Sequence, residues 1–418
     1  MKISRFIQTA LGSVLLSAGL QAADDTLAAK AINTLGIELL ARIPSANGLL
    51  SPYSIQNALA MTYAGADGTT RKEMARVLHF PEDGLDASFM ALNSALSQIG
   101  ENTTKSVVGS KQHGGPTEPV TLQIANRLFG QEDFEFRPSF LELVKNDYRA
   151  PLEALNFTQH PDQATQTINA WVEDATHQRI RDLIPKGALD KTTRLVLVNA
   201  IYLKAAWAEE FAKSATQPAG FQIGGTTPID VPTMHLTSRL GFAKRDGYTA
   251  VTLPYIGRDL QFLILLPDQP AGLAELEAKL NATTLADCAA LEPQKIILSL
   301  PKFKIEPPTL SLGKVLQSLG MKSAFDSPPG SANFDRIAPR TPGRYLYVSE
   351  VFHKTFLSLD ENGTEAAAAT AVIMMMKSAM PVQEPRPIEV RVDHPFLFAI
   401  QHRATGACLF LGRMTDPR

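Results

Sequence analysis

The chain has 418 residues, 44% of them hydrophobic and 20% charged, with a formal net charge of −2, the composition of a water-soluble globular protein. So balanced a charge leaves no electrostatic footprint for nucleic acid, and basic short stretches such as Lys105 to Lys111 hold only two lysines. No Ser/Gly-rich or Pro-rich linker and no internal repeat divides the interior, so one large domain over residues 23–418 is expected.

Residues 1–22 read as a signal peptide. Lys2 and Arg5 form a charged start, Phe6 to Leu20 an apolar stretch, and Leu20-Gln21-Ala22 a small-residue cleavage site. The apolar stretch is too short to span a bilayer, so secretion or periplasmic export is expected and no membrane association. Ser51-Pro52 has the form of a helix N-cap followed by Pro at the first helical position. Ile55, Ala58, Leu59 and Thr62 then recur at helical spacing up to Gly65. Phe140 to Tyr148, and the segment carrying Ile168, Trp171, Val172 and Ala175, read as further helices. Leu195 to Leu203 is a continuous apolar run broken by Asn199, the pattern of a buried strand with one polar group, and Leu260 to Leu266 is similar. Ile388, Val390 and Val392 alternate with Glu389, Arg391 and Asp393, and Phe396 to Ile400 with Cys408 to Leu411 read as a closing hairpin. Helices and strands follow in mixed order, which argues for an α+β fold with a largely antiparallel sheet.

Signatures of catalysis are missing. The chain has no GxSxG, GxxxxGK[ST], GxGxxG or HExxH, and its eight histidines are scattered without metal-ligand spacing, so no cofactor and no metal is expected. Ser51, Ser54 and His353 read better as small polar groups bonded to one another inside a packed element than as a hydrolytic triad. Of the two cysteines, Cys408 sits in the apolar run Ala407 to Leu411, and two free thiols are expected. Met374, Met375, Met376 and Met380 offer soft thioether ligands. Consecutive methionines on a strand point to alternate faces, however, which is poor geometry for one metal site. The segment Asp360 to Ala371 is unusual. Alanine propensity favours a helix, yet as a strand it places Thr364, Ala366, Ala368 and Thr370 on one face and Glu365, Ala367, Ala369 and Ala371 on the other. With no bulky side chain and no proline, such a strip fits between two existing strands.

At this point the chain resembles the serpin family. The segment Glu361 to Thr370 is similar to the family's hinge, and Val390 to Phe398 to its C-terminal signature. Asn47 to Ile55, Leu197 to Lys204 with Trp207 beyond, Leu253-Pro254-Tyr255 and Leu300 to Ile305 resemble further blocks, all in family order. The resemblance implies three mostly antiparallel β-sheets, about nine helices and an exposed reactive loop, here about 361–387. It implies a monomer that acts as a suicide substrate. A target serine protease, or alternatively a cysteine protease, attacks the loop. The cleaved loop then enters the main sheet and traps the acyl-enzyme.

Residue by residue, Ser51, Ser54, Asn199 and His353 match the family's shutter, Trp207 the place where the loop first enters, and Lys302 with Glu361 a pair common in the family. Glu361, Gly363, Thr364, Glu365, Ala366, Ala367, Ala368, Ala369 and Thr370 match its hinge. Sixteen positions after Glu361 stands Lys377, so the count places the reactive bond at Lys377–Ser378 and makes trypsin-like proteases the expected targets. Met376–Lys377 and Met380–Pro381 are the competing bonds. The chain is longer than the family pattern between this bond and His394, where Pro381, Pro385 and Pro387 stiffen it. The alternative is a non-inhibitory member acting as carrier or chaperone. Such relatives tend to carry bulky, charged or proline residues where this chain has Gly363, Thr364 and alanines.

Overall fold

The computed structural model describes residues 26–81, 85–111, 116–223, 228–365 and 386–418. The signal segment, Ala366 to Thr370, the methionine cluster, Lys377, Ser378, Pro381 and Pro385 therefore lie outside the described residues.

Local sequence determines the helices as expected. Ser51 caps helix Pro52–Ala64, its side chain accepting from the Ser54 N–H with Pro52 in the first turn, and Gly65 ends the helix. The segments around Phe140 and Ile168 form helices Pro138–Asn146 and Pro161–Ala175. Residues 26–40 and Leu85–Lys111 add two long helices that the sequence patterns did not announce. Nine α-helices are present among the described residues.

The strands join into two continuous ladders, one of nine strands and one of eight. The nine-stranded ladder contains two of the three expected sheets, because the 17-residue strand Ile229–Arg245 runs through both. Its first part pairs with Pro293–Pro301, its last part with Tyr248–Pro254, and Gly241 is the hand-over residue. The closing hairpin is present as Phe396–His402 paired with Cys408–Met414. Strand pairing is mostly antiparallel, as expected.

The eight-stranded sheet holds Asn199, His353, Gly363 and Thr364. Strand Leu195–Ala206 pairs antiparallel with Thr121–Gln131 on one side and parallel with Val348–Thr355 on the other. It is buried on both faces. Leu195, Leu197, Ile201 and Leu203 face the main core, while Val196, Val198 and Ala200 face a second core closed by Ile168 and Val172 of helix Pro161–Ala175. Double burial explains why the run reads as continuous rather than alternating. Above Thr355 the two parallel partners separate, and the short strand Gly363–Thr364 lies between Leu357–Asp360 and the end of Leu195–Ala206.

Candidate functional site

Two polar clusters mark the parallel seam, one midway and one at its open end. The midway cluster grows from register. Asn126, Asn199 and His353 stand opposite one another on three adjacent strands, directly beneath the start of helix Pro52–Ala64. All are nearly or wholly buried, so each polar atom needs a partner. Asn199 Nδ2 donates to Ser54 Oγ and to Asn126 Oδ1, each at 2.6 Å, and the Ser54 hydroxyl donates to Asn126 Oδ1 at 3.0 Å. His353 bridges the seam itself. Its Nδ1–H donates to Asn199 Oδ1, and its Nε2 accepts from the Ser51 N–H at 3.0 Å. That pattern fixes the neutral Nδ1–H tautomer. Burial then pushes the imidazole pKa down to about 3. Among the described residues no carboxylate bonds this histidine, and the Ser51 hydroxyl is engaged by the Ser54 N–H, so the geometry is that of a structural network and not of a triad. Ser51, Ser54, Asn199 and His353 are thus brought together as expected. Asn126 completes them; the sequence alone does not single it out, because Gln123 and Gln131 lie in the same strand.

The second cluster holds Asp360 to Glu365, the segment whose sequence resembles the family's hinge. Asp360 Oδ1 accepts from the N–H groups of Asn362 at 2.8 Å and Gly363 at 3.3 Å, closing a turn. Trp207 clamps that turn from the neighbouring strand. Its Nε1 donates to Asp360 O and its backbone N to Asn362 O, both at 2.9 Å. Glu361 receives Lys302 Nζ at 2.8 Å and the Thr216 hydroxyl at 2.7 Å. Burial alone would raise its pKa, but these hydrogen bonds outweigh it and hold the carboxyl below its ordinary value. The Lys302–Glu361 pair is more than a surface contact, since the Glu361 side chain is only 6% exposed. Gly363 is required where it stands. A Cβ there would meet Ala205 O at 2.1 Å, and its φ is +147°. Thr364 is buried, with Oγ1 2.6 Å from the hydroxyl of Tyr255, whose ring stacks on Trp207 at 4.7 Å. Glu365 is the last hinge residue described.

Among the described residues, no group of three or more His, Cys, Asp or Glu is arranged to hold a metal ion, and no helix is long and apolar enough to cross a membrane. Cys288 and Cys408 are buried free thiols, as expected from the sequence.

A profile of the family described as Serpin (serine protease inhibitor) matches residues 30–417. The chain is a serpin. It is 38% identical over 391 residues to an uncharacterized serpin-like protein of Thermococcus kodakarensis, covering 93% of this chain and 85% of that one. It is 34% identical over 383 residues to the leukocyte elastase inhibitor of Bos taurus, covering 90% and 94%. Among solved structures it is similar to uncleaved ovalbumin, with a TM-score of 0.77 and 29% identity over 94% of this chain and all of the other. The two clusters of this serpin therefore lie on the fold that the sequence resemblance implied.

Proposed function

We propose that this serpin inhibits trypsin-like serine proteases as a suicide substrate. The observation that carries the reading is the position of Gly363 and Thr364, which are antiparallel to both seam neighbours at the open end of a parallel seam. Parallel pairing is slightly weaker per residue than antiparallel, so a strand entering antiparallel to both neighbours improves the ladder on each side. Continuing the register of Gly363 opposite Ala206 and Thr364 opposite Ala205 brings Met374 opposite Leu195, the far end of the strand. The cleaved loop is thus long enough to fill the seam and leave Lys377 just beyond it. A central strand of about ten residues gains on the order of 10 kcal/mol at about 1 kcal/mol net per hydrogen bond. That rivals the stability of a typical domain, about 5–15 kcal/mol, and suffices to distort a tethered protease.

The chemistry is that of the target enzyme. Its serine attacks the Lys377 carbonyl, the Lys377–Ser378 bond breaks with Ser378 leaving as the free amine, and an ester joins Lys377 to the enzyme. Insertion then draws the ester away from the ordered oxyanion hole and base that deacylation needs. The test is incubation with a panel of serine and cysteine proteases followed by a denaturing gel and sequencing of the released fragment. A band that survives denaturant with a trypsin-like serine protease, and a fragment starting at Ser378, are expected. Quantitative cleavage without a complex overturns inhibition. A fragment starting at Lys377 moves the target to elastase- or chymotrypsin-like enzymes, and a complex formed only with cysteine proteases moves it to that class. Export is part of the reading: the mature chain is expected to begin near Ala23, and an intact mass retaining Met1 in exported material would sink it.

A further inference from the structure

The chain leaves the sheet abruptly after Thr364. Glu365 N still donates to Ser358 O at 3.1 Å, but Glu365 has φ +51°, a left-handed conformation that side chains rarely adopt. Its carboxylate lies on the sheet face opposite Tyr255 and is only 5% exposed. Arg179 Nε stands 3.2 Å from Oε1, and the Tyr202 phenol bonds the same carboxylate. Lys204, on the same strand as Tyr202, adds positive charge and is itself paired with Glu118. Oε2 is buried without a hydrogen-bond partner of good geometry. The groups facing Glu365 are therefore Arg179 from the loop and Tyr202 and Lys204 from the strand, with Glu118 behind them.

Arg179 is delivered by a loop whose shape is strained. Helix Pro161–Ala175 ends at Thr176, whose hydroxyl donates to Val172 O at 2.7 Å and accepts from the Ile180 N–H at 3.1 Å. Between these fixed points His177 and Gln178 both adopt left-handed backbone, with φ of +51° and +64°. Two consecutive non-glycine residues in that region carry a cost that the surroundings must override. The His177 ring meets the Tyr202 ring edge-on at 5.2 Å, so one loop presents Arg179 and braces Tyr202. For the next residue to enter the sheet, Glu365 must become extended, take its place opposite Lys204 in the continued register, and give up this arrangement.

We infer that Arg179 and Tyr202 are positioning residues of the reactive loop, holding Glu365 out of the strand so that resting insertion stops at Gly363 and Thr364. The inference rests on the inhibitory reading, because it concerns the step by which the loop enters. Release of Glu365 precedes entry of everything that follows, so the Arg179 and Tyr202 contacts set part of the insertion barrier. Burial raises the Glu365 pKa more than its partners lower it. Acidification therefore neutralises the carboxyl and weakens its hold on Arg179.

The experiment nicks the loop with added protease and follows Trp207 emission in a Trp171→Phe background, together with the rise in heat stability that marks an inserted loop. Arg179→Ala and Glu365→Gln are expected to insert about two- to fivefold faster than wild type, the range for a partly exposed ion pair, and Tyr202→Phe is expected to insert faster as well. Arg179→Lys should stay near wild type. The wild-type rate should rise as pH falls, and the Glu365→Gln rate should remain flat. Equal rates across these variants, or an unchanged pH profile in Glu365→Gln, overturn the inference. If nicked wild type gains no heat stability, the inhibitory reading itself fails, an outcome distinct from insertion at variant-independent rates.

Discussion

Replacing Thr364 by arginine tests the hinge most directly. Thr364 is 1% exposed, hydrogen-bonded to Tyr255 at 2.6 Å, and Tyr255 is wholly buried against Trp207. A guanidinium brings about five N–H donors to a place where the adjoining polar partner is one phenol, so the resting chain expels residue 364 from the sheet and insertion must then bury a largely unpaired ion. Burying such an ion costs several kcal/mol even after relaxation. If about 3 kcal/mol of that is felt in the barrier to insertion, entry slows by about a hundredfold, at 1.4 kcal/mol per factor of ten. Deacylation by the protease is untouched, so the branch between trapping and release swings to release. Thr364→Arg should be cleaved at the wild-type site and yield almost no covalent complex, measured by densitometry of complex against cleaved chain on a denaturing gel. Thr364→Ser keeps the hydroxyl and should partition like wild type. An unchanged ratio in Thr364→Arg, or an equal loss in Thr364→Ser, would refute the placement of this residue in the insertion path.

Three further outcomes follow from the two clusters and the thiols. The folded pKa of His353, about 3, lies below its ordinary 6.5. The unfolded chain therefore binds more protons, and stability that is complete above pH 6.5 is lost as pH falls towards 3, by about 2 kcal/mol between pH 7 and 5. Urea midpoints should show this slope in wild type and much less of it in His353→Gln. Lys302→Ala strands a nearly buried Glu361 carboxylate and should cost about 1–3 kcal/mol, while adding Glu361→Gln should restore part of that; strictly additive losses in the thermal midpoints would argue against a coupled pair. Burial pushes the Cys288 thiol up to about 11 and the Cys408 thiol up to about 12, so iodoacetamide should label neither in the native protein and both after denaturation without reductant; no labelling in denaturant would mean a disulfide.

The legibility of the fold followed physical rules that differ between its parts. Helix Pro52–Ala64 was readable because its cap, its proline and its stop are local. Strand Leu195–Ala206 was readable because both faces are buried, which leaves an apolar run from Leu195 to Leu203 interrupted only by Asn199. Helix Leu85–Lys111 was not announced, since Ser94, Ser97, Thr103, Thr104 and two glycines dilute its apolar stripe. The shutter residues and the Lys302–Glu361 pair came from resemblance to the family, and the register then explained them. Asn126 escaped because nothing in its strand says which of Gln123, Asn126 and Gln131 will stand beside Asn199. Arg179 and Tyr202 were beyond sequence reasoning for a stronger reason. Their contact with Glu365 spans distant segments and depends on two left-handed residues, His177 and Gln178, of types with no fixed preference for that conformation.

The register also accounts for the choice of neutral groups at the shutter. Opening the seam at His353 means breaking its bond to Asn199, and two buried polar atoms would then be left unpaired, at about 1–3 kcal/mol each. Continued from Thr364 opposite Ala205, the inserted loop brings Thr370 opposite Asn199. Continued from Thr364 opposite Leu359, it brings Thr370 opposite His353. Both ladders therefore converge on one residue, placed between the two groups that the proposed insertion would separate. A hydroxyl donates once and accepts twice, so Thr370 can accept the Nδ1–H of His353 and donate to Asn199 Oδ1, replacing the lost bond at both ends. A charged gate would not be healed this way, because a neutral hydroxyl cannot compensate a buried ion. On this argument Thr370→Val lowers the heat stability of the cleaved, inserted form relative to that of the uncleaved chain. If cleaved Thr370→Val melts with cleaved wild type, the loop does not enter in the register that Gly363 and Thr364 begin.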